Sequence, residues 1–347
     1  TEIGETAWIP DGTALMITGQ DEASGFLHVW QVSYPDGDVR RITHDPNDYR
    51  SLSFPASANV LMTVQRQTLT SIFIAPKADL ENPQQVTTGA GRFFDLSWTP
   101  DNNIVYASDA SGSSDIWEMA ADGSGQKQLT AGAGRNYAPV TSPNGQYVFF
   151  HSNRSGTWQI WRMDRGGSNQ VLMTKGQEDS NWPEVSPDGK WLLFQHTTGG
   201  TSTVWKMPVE GGEATQMTSS LSMRPAVSPD GKFVAYWQKE DKPGAQWRIA
   251  ISPFEGGGAI RALDVPQSPA SSNSVIQWAS DGKGIYFIDF QNGVTNLWLR
   301  PVDPGPARQM TKFPKELFYS FDFSQDGRVV ISRGFWTNDV VLISDAR

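Results

Sequence analysis

One turn phrase, repeated along the whole chain, limits what this sequence can fold into. It reads WIPDG (8–12), FPASAN (54–59), WTPDNN (98–103), TSPNG (141–145), VSPDG (185–189), VSPDG (227–231), WASDG (278–282) and FSQDG (323–327). The copies are anchored near residues 10, 55, 100, 143, 187, 229, 280 and 325, a period of about 45 that points to a repeat architecture. Proline presets φ for the turn, aspartate bonds to nearby backbone, and glycine accepts positive φ. The second copy has lost its Asp-Gly pair.

Each phrase is followed by a short apolar run, such as YVFFHS (147–152), WLLFQ (191–195) or FVAYW (233–237). A second run comes next: HVWQV (28–32), SIFIA (71–75), DIWEM (115–119), QIWRM (159–163), TVWKM (203–207), RIAIS (248–252), NLWLR (296–300) and DVVLI (339–343). Trp30, Trp117, Trp161, Trp205 and Trp298 share one place in it, as a recurring packing layer would. Most units then close on a short segment such as QQVT (84–87), VLMT (171–174) or RQMT (308–311). With the strand before the turn, each unit has four short strands, the content of a propeller blade. The expectation is one all-β propeller over residues 1–347, with eight blades of four antiparallel strands, or seven if the weak second unit is merged. The last unit stops before a fourth strand, and residues 1–4 are expected to supply it, joining both termini in the last blade. No helix-length apolar stripe interrupts the pattern, so folds that need crossover helices are excluded.

The formal charge of −9 argues against a nucleic-acid surface, which needs clustered Lys and Arg. The absence of cysteine excludes disulfides and thiolate chemistry. No apolar stretch is long enough for a membrane helix, so no direct membrane insertion by this segment is expected. Nucleophile-elbow, phosphate-loop, dinucleotide and kinase motifs are missing, so no cofactor is expected and the chain reads as noncatalytic. His151 and His196 stand at similar heights in two units, but ordinary polar positions account for them and no metal is assigned. Asp95, Glu184 and Asp322 lie in inner strands, where two carboxylates at the right spacing would suit a polysaccharide-active hydrolase or lyase. That is the enzymatic alternative.

Recognition is better supported. The segments leading into the inner strands gather at one mouth of a propeller. Here they carry Arg50, Arg92, Arg135 and Arg224, with Tyr137, Asn181, Trp182 and Tyr319 among them. Arginine beside aromatic surface suits a protein loop, an acidic peptide or an envelope glycan. These eight residues are the expected binding site.

The S-P-D-G-K phrase, the I-W strand and the Q-L/M-T ending resemble the propeller repeats of TolB-like proteins, over residues 5–345. The closing stretch, NLWLRPVDPGPARQMTKF (296–313) with SRGFWTNDVVLISDAR (332–347), resembles the extracytoplasmic propeller of bacterial transmembrane serine/threonine kinases. The resemblance implies a periplasmic or extracellular recognition module. It would be the sensor part of a receptor tethered through a neighbouring membrane segment, or a periplasmic adaptor.

Overall fold

The repeated phrase closes on itself through side chains. The Ser186 hydroxyl donates to Asp188 Oδ1 (2.6 Å) and accepts the Trp191 N–H (3.0 Å), while the same aspartate oxygen takes the Lys190 N–H (3.1 Å). Ser228, Asp230, Lys232 and Phe233 repeat the set. A second closure explains the terminal threonine of most units. The N–H of Val29, Ile72, Ile116, Ile160, Val204 and Leu297 donates to the hydroxyl of Thr43, Thr87, Thr130, Thr174, Thr218 and Thr311, at 2.8–3.0 Å. The apolar residue before each threonine donates its own N–H to the carbonyl of that same third-strand residue. Each short fourth strand is thus clasped onto the third.

The computed structural model describes residues 3–22, 24–55, 60–87, 91–266, 274–291 and 293–344. Its strands form seven antiparallel sheets, six of four strands and one composite of five. The expected eight blades are corrected to these seven sheets. The cause lies in the second and eighth repeat units. Val60–Pro76 and Arg328–Ser344 are single strands of 17 residues, where other units turn between their second and third strands. They pair with each other over their whole length. The stretch VQRQTLT (64–70) contains no Gly, Pro, Asn or Asp to make the missing turn.

The two units consequently exchange outer halves. The inner strand Leu317–Phe323 and the first half of Arg328–Ser344 are completed by the second half of Val60–Pro76 and by Gln84–Gln85. The inner strand Asp48–Ser53 and the first half of Val60–Pro76 receive the second half of Arg328–Ser344 as their third strand. Gly334 permits the crossing, because a Cβ there would lie 1.9 Å from the Leu69 carbonyl oxygen.

The inner strands Phe93–Trp98, Asn136–Thr141, Ser180–Val185, Ser222–Val227, Ile276–Trp278 and Leu317–Phe323 follow one another round an axis. The ring closes where the Trp98 N–H donates to Asp322 Oδ2 (2.6 Å) and its indole N–H to the Asp322 carbonyl (3.1 Å). Apolar side chains fill the spaces between neighbouring sheets. Phe149 and Ile160 meet Val185 and Leu192 in one space, and Leu193 and Val204 meet Val227 and Tyr236 in the next. Both faces of a blade are buried, which is why both are apolar.

The first sheet stands outside this ring. Ile3–Trp8 pairs with Ala14–Gln20 within that sheet. Its core residues Ile9, Met16 and Val29 pack on Tyr49, Leu61, Val341 and Ile343 of the composite sheet. These two layers form an arm beside the propeller.

Candidate functional site

The inner strands do not run straight. In Asn136–Thr141, Ser180–Val185 and Ser222–Val227 the pairing jumps, so that two residues oppose one on the neighbouring strand. Such bulges re-aim side chains. The residues at the jump, Ala138, Trp182 and Arg224, hold φ at +49°, +57° and +55°. For tryptophan and arginine this is a strained conformation of the kind concentrated at functional sites. Asp95 and Tyr319 occupy the corresponding irregularity in Phe93–Trp98 and Leu317–Phe323.

Asp95, Trp182 and Arg224 meet on the axis. The Arg224 guanidinium carbon lies 3.2 Å from the centre of the Trp182 ring, and Arg224 Nη1 is 3.8 Å from Asp95 Oδ1. Burial lowers the Arg224 pKa to about 10, against the pull of Asp95. Burial likewise pushes Asp95 up, with Arg224 pulling it back. His151 packs edge-on to Trp182 at 4.7 Å, and its Nδ1 accepts the Trp182 N–H (3.3 Å). Burial, then the charges of Arg224 and Arg135, hold His151 down to about 3, so it is neutral at physiological pH.

These residues line an axial cavity of about 400 Å³, to which all six ring sheets contribute. Pro143, Pro187 and Gln325 line it and are exposed, so it opens at the Ser-Pro-Asp-Gly end. Glu184, Gln277 and Asp322 line its wall. Burial raises Glu184 to about 8, the Val227 N–H opposing and the Asp322 charge adding. Burial raises Asp322 to about 6, opposed by hydrogen bonds from Trp98, Gln277 and Phe323.

The other expected site residues lie elsewhere. Arg92 pairs with Asp109 and lies 3.9 Å over the Phe26 ring, in a separate cleft between ring and arm. Arg135 lies over Trp158 (5.1 Å), and a Cβ on Gly25 of the arm would be 2.7 Å from its Nη1. Tyr137 packs among Phe94, His151 and Trp158. Burial raises Tyr319 to about 12, with Arg92 and Arg66 opposing. Asn181 precedes the Trp182 bulge and pairs with Gln195. Arg50 is exposed on the arm. Of the eight, Trp182 and Arg224 share the axial cavity. Trp158 and Gln277 were not singled out from the sequence. The only signal for Gln277 was its repeat position, three residues before its anchor like Glu184 and Asp322.

His196 bonds to Ser180 (2.9 Å) and packs on Trp205. Among the described residues, no three His, Cys, Asp or Glu gather as metal ligands, and no helix is long and apolar enough to cross a membrane.

No curated protein matches the sequence. The fold is similar to TolB of Agrobacterium tumefaciens, with a TM-score of 0.62 and 19% identity over 78% of this chain and 99% of that one. TolB of Acinetobacter baumannii gives 0.56 and 17%, over 85% and 82%. A puromycin-hydrolyzing peptidase of Mycobacterium tuberculosis gives 0.52 and 14%, over 90% of this chain and 54% of the peptidase. At such identities the likeness shows the fold. The expected kinase neighbour finds no support here. The model of PD40, the TolB beta propeller domain, matches residues 52–181 and 85–254. These matches together span more than half of the 347 residues, and the chain belongs to that family.

Proposed function

We propose that this domain is a noncatalytic recognition propeller of the bacterial envelope, on the outer side of the cytoplasmic membrane. In this reading it seats an extended segment of a partner protein in its axial cavity. The cavity of about 400 Å³, open at the turn end and floored by Trp182 and Arg224, carries the reading. Such a concave space, with polar groups on its wall, suits a bound segment, and Trp182 offers the aromatic anchor typical of binding hot spots. The charge of Arg224 faces Asp95, and that of Arg92 faces Asp109. The wall presents Glu184, Gln277 and Asp322. This chemistry favours a segment with hydrogen-bond donors or a basic side chain over an acidic one. The TolB membership supports the protein partner and the location.

A photo-crosslinking residue at position 187, on the rim, tests the reading against envelope proteins. It should capture a discrete partner, and Trp182→Ala should abolish the capture. Equal capture from position 216, on an outer strand, or indifference to Trp182→Ala would contradict the axial site.

A further inference from the structure

The clasp that finishes six third strands has no counterpart on the composite-sheet layer of the arm. In the inner strand Asp48–Ser53 the pairing jumps after Arg50↔Val64, as it does after Tyr137↔His151. Val64 pairs with Val340, as His151 pairs with Ile160. Val340 is therefore the counterpart of Ile160, whose N–H and carbonyl are taken by Thr174 and Met173. Among the described residues no fourth strand follows on the far side of 335–344. Val340 and Leu342 are each 66% exposed, and Phe335 and Trp336 are exposed beside them. Natural edge strands are usually blunted by lysine, proline or a bulge. The edge FWTNDVVLIS (335–344) contains no lysine or proline, and its register with Val60–Leu69 is unbroken.

The six clasped units show what chemistry covers such an edge. In the unit of Ile116, Gln128 lies opposite Trp117, and Leu129 donates to the Ile116 carbonyl. Thr130 follows and accepts the Ile116 N–H. Transferred to Val340, the apolar residue of an added strand covers the Val340 side chain. The residue two before it covers Leu342, and the residue after the threonine falls beside Asn338. Arg66 stands there: its Nε donates to Asn338 Oδ1 (3.0 Å) and its guanidinium leans over Trp336 (5.4 Å). Among the described residues Arg66 has no acidic partner. Arg50, paired in register with Val64, is a second exposed cation on the same sheet.

We propose that the 335–344 edge is a docking site for an extended segment of a partner protein with the pattern apolar–any–apolar–Thr–acidic, added as the fourth strand of the arm. Strand addition takes its affinity from main-chain hydrogen bonds and its specificity from alternate side chains. The site is separate from the axial cavity.

The probe is a labelled, end-blocked peptide, Gly-Val-Gln-Leu-Thr-Glu-Gly, followed by anisotropy and amide exchange. The expected result is saturable binding, with slowed exchange at Val340 and Leu342. Replacing the peptide's threonine by valine, or its glutamate by lysine, should each weaken binding about tenfold, the scale of one lost hydrogen bond or charge contact. Val340→Lys, at an exposed position, should abolish binding with an unchanged thermal melt. Trp182→Ala should leave it intact, so that failure of the axial site and failure of the edge read out separately. Absence of saturable binding, or binding indifferent to Val340→Lys, overturns the proposal. So does equal binding of the lysine peptide. A dimer in sedimentation that Val340→Lys dissociates would assign the edge to a second copy of the chain, and would overturn it too.

Discussion

Asp95 and Arg224 reach toward each other from opposite sheets of the ring and hold their charged groups 3.8 Å apart. Two sheets separate them along either path round the ring. The pair therefore braces the propeller across its axis, beneath Trp182.

Removing one partner leaves the other charge buried. Arg224→Met should destabilise by about 3 kcal/mol, at the low end for a broken buried pair because the groups border a cavity. Adding Asp95→Asn should recover part of that loss. Urea unfolding of both single variants and the double variant checks the coupling. Additive losses would mean the two groups act separately.

The buried acid and the buried histidine give stability two opposite pH limbs. Glu184 titrates at about 8 in the fold, against about 4.3 when unfolded. Its folded form holds the proton more tightly, so its contribution is full below the unfolded value and is lost as pH rises toward 8. His151 is held down to about 3, against about 6.5 unfolded. Its contribution is present above the unfolded value and is lost as pH falls. Glu184→Gln should flatten the alkaline limb, and His151→Gln the acid limb. Thermal melts across the range read both; an unchanged profile in either variant would contradict the corresponding assignment.

Gly334 pairs with Thr70 where the two long strands cross between ring and arm. Gly334→Ala would place a methyl against the Leu69 carbonyl. Forced overpacking of this kind costs about 1–3 kcal/mol, and it should also speed amide exchange through residues 69–71. A melt equal to that of the parent protein would argue against the close crossing.

Much of the fold was legible because local chemistry wrote it. Ser186 and Asp188 close their turn within six residues, and Thr174 clasps Ile160 from a sequence separation of 14. The blade count was not legible, because it depended on something missing. VQRQTLT lacks a turn, and a strand that fails to turn still looks like two strands when repeats are counted. Only pairing between Phe73 and Ile331 shows where its second half goes. The site was legible in part. Trp182 and Arg224 stood out as an aromatic and a cation, and Asp95 as an inner-strand acid. Their convergence comes from bulges, whose positive φ at tryptophan and arginine no residue type announces. Arg92 and Arg135 were expected at the same mouth, but they lie outside the axial cavity. Their partners, Asp109 and Trp158, lie in separate loops that repeat spacing does not align.

The exchange of outer halves is the claim on which the six-sheet ring, its axial cavity and the open arm all rest. The chain has no cysteine, so the double variant Met62→Cys/Leu342→Cys tests it directly. These residues pair across the two long strands on the same side as Val340, whose backbone points to the open edge. Such non-hydrogen-bonded pairs have Cα atoms about 4.5 Å apart, within disulfide range. Under mild oxidation of the folded protein, the account predicts a near-quantitative intramolecular disulfide between residues 62 and 342. In a ring where the second and eighth units each keep their own strands, the first unit would stand between these positions. Two free thiols in a folded protein would contradict the exchange.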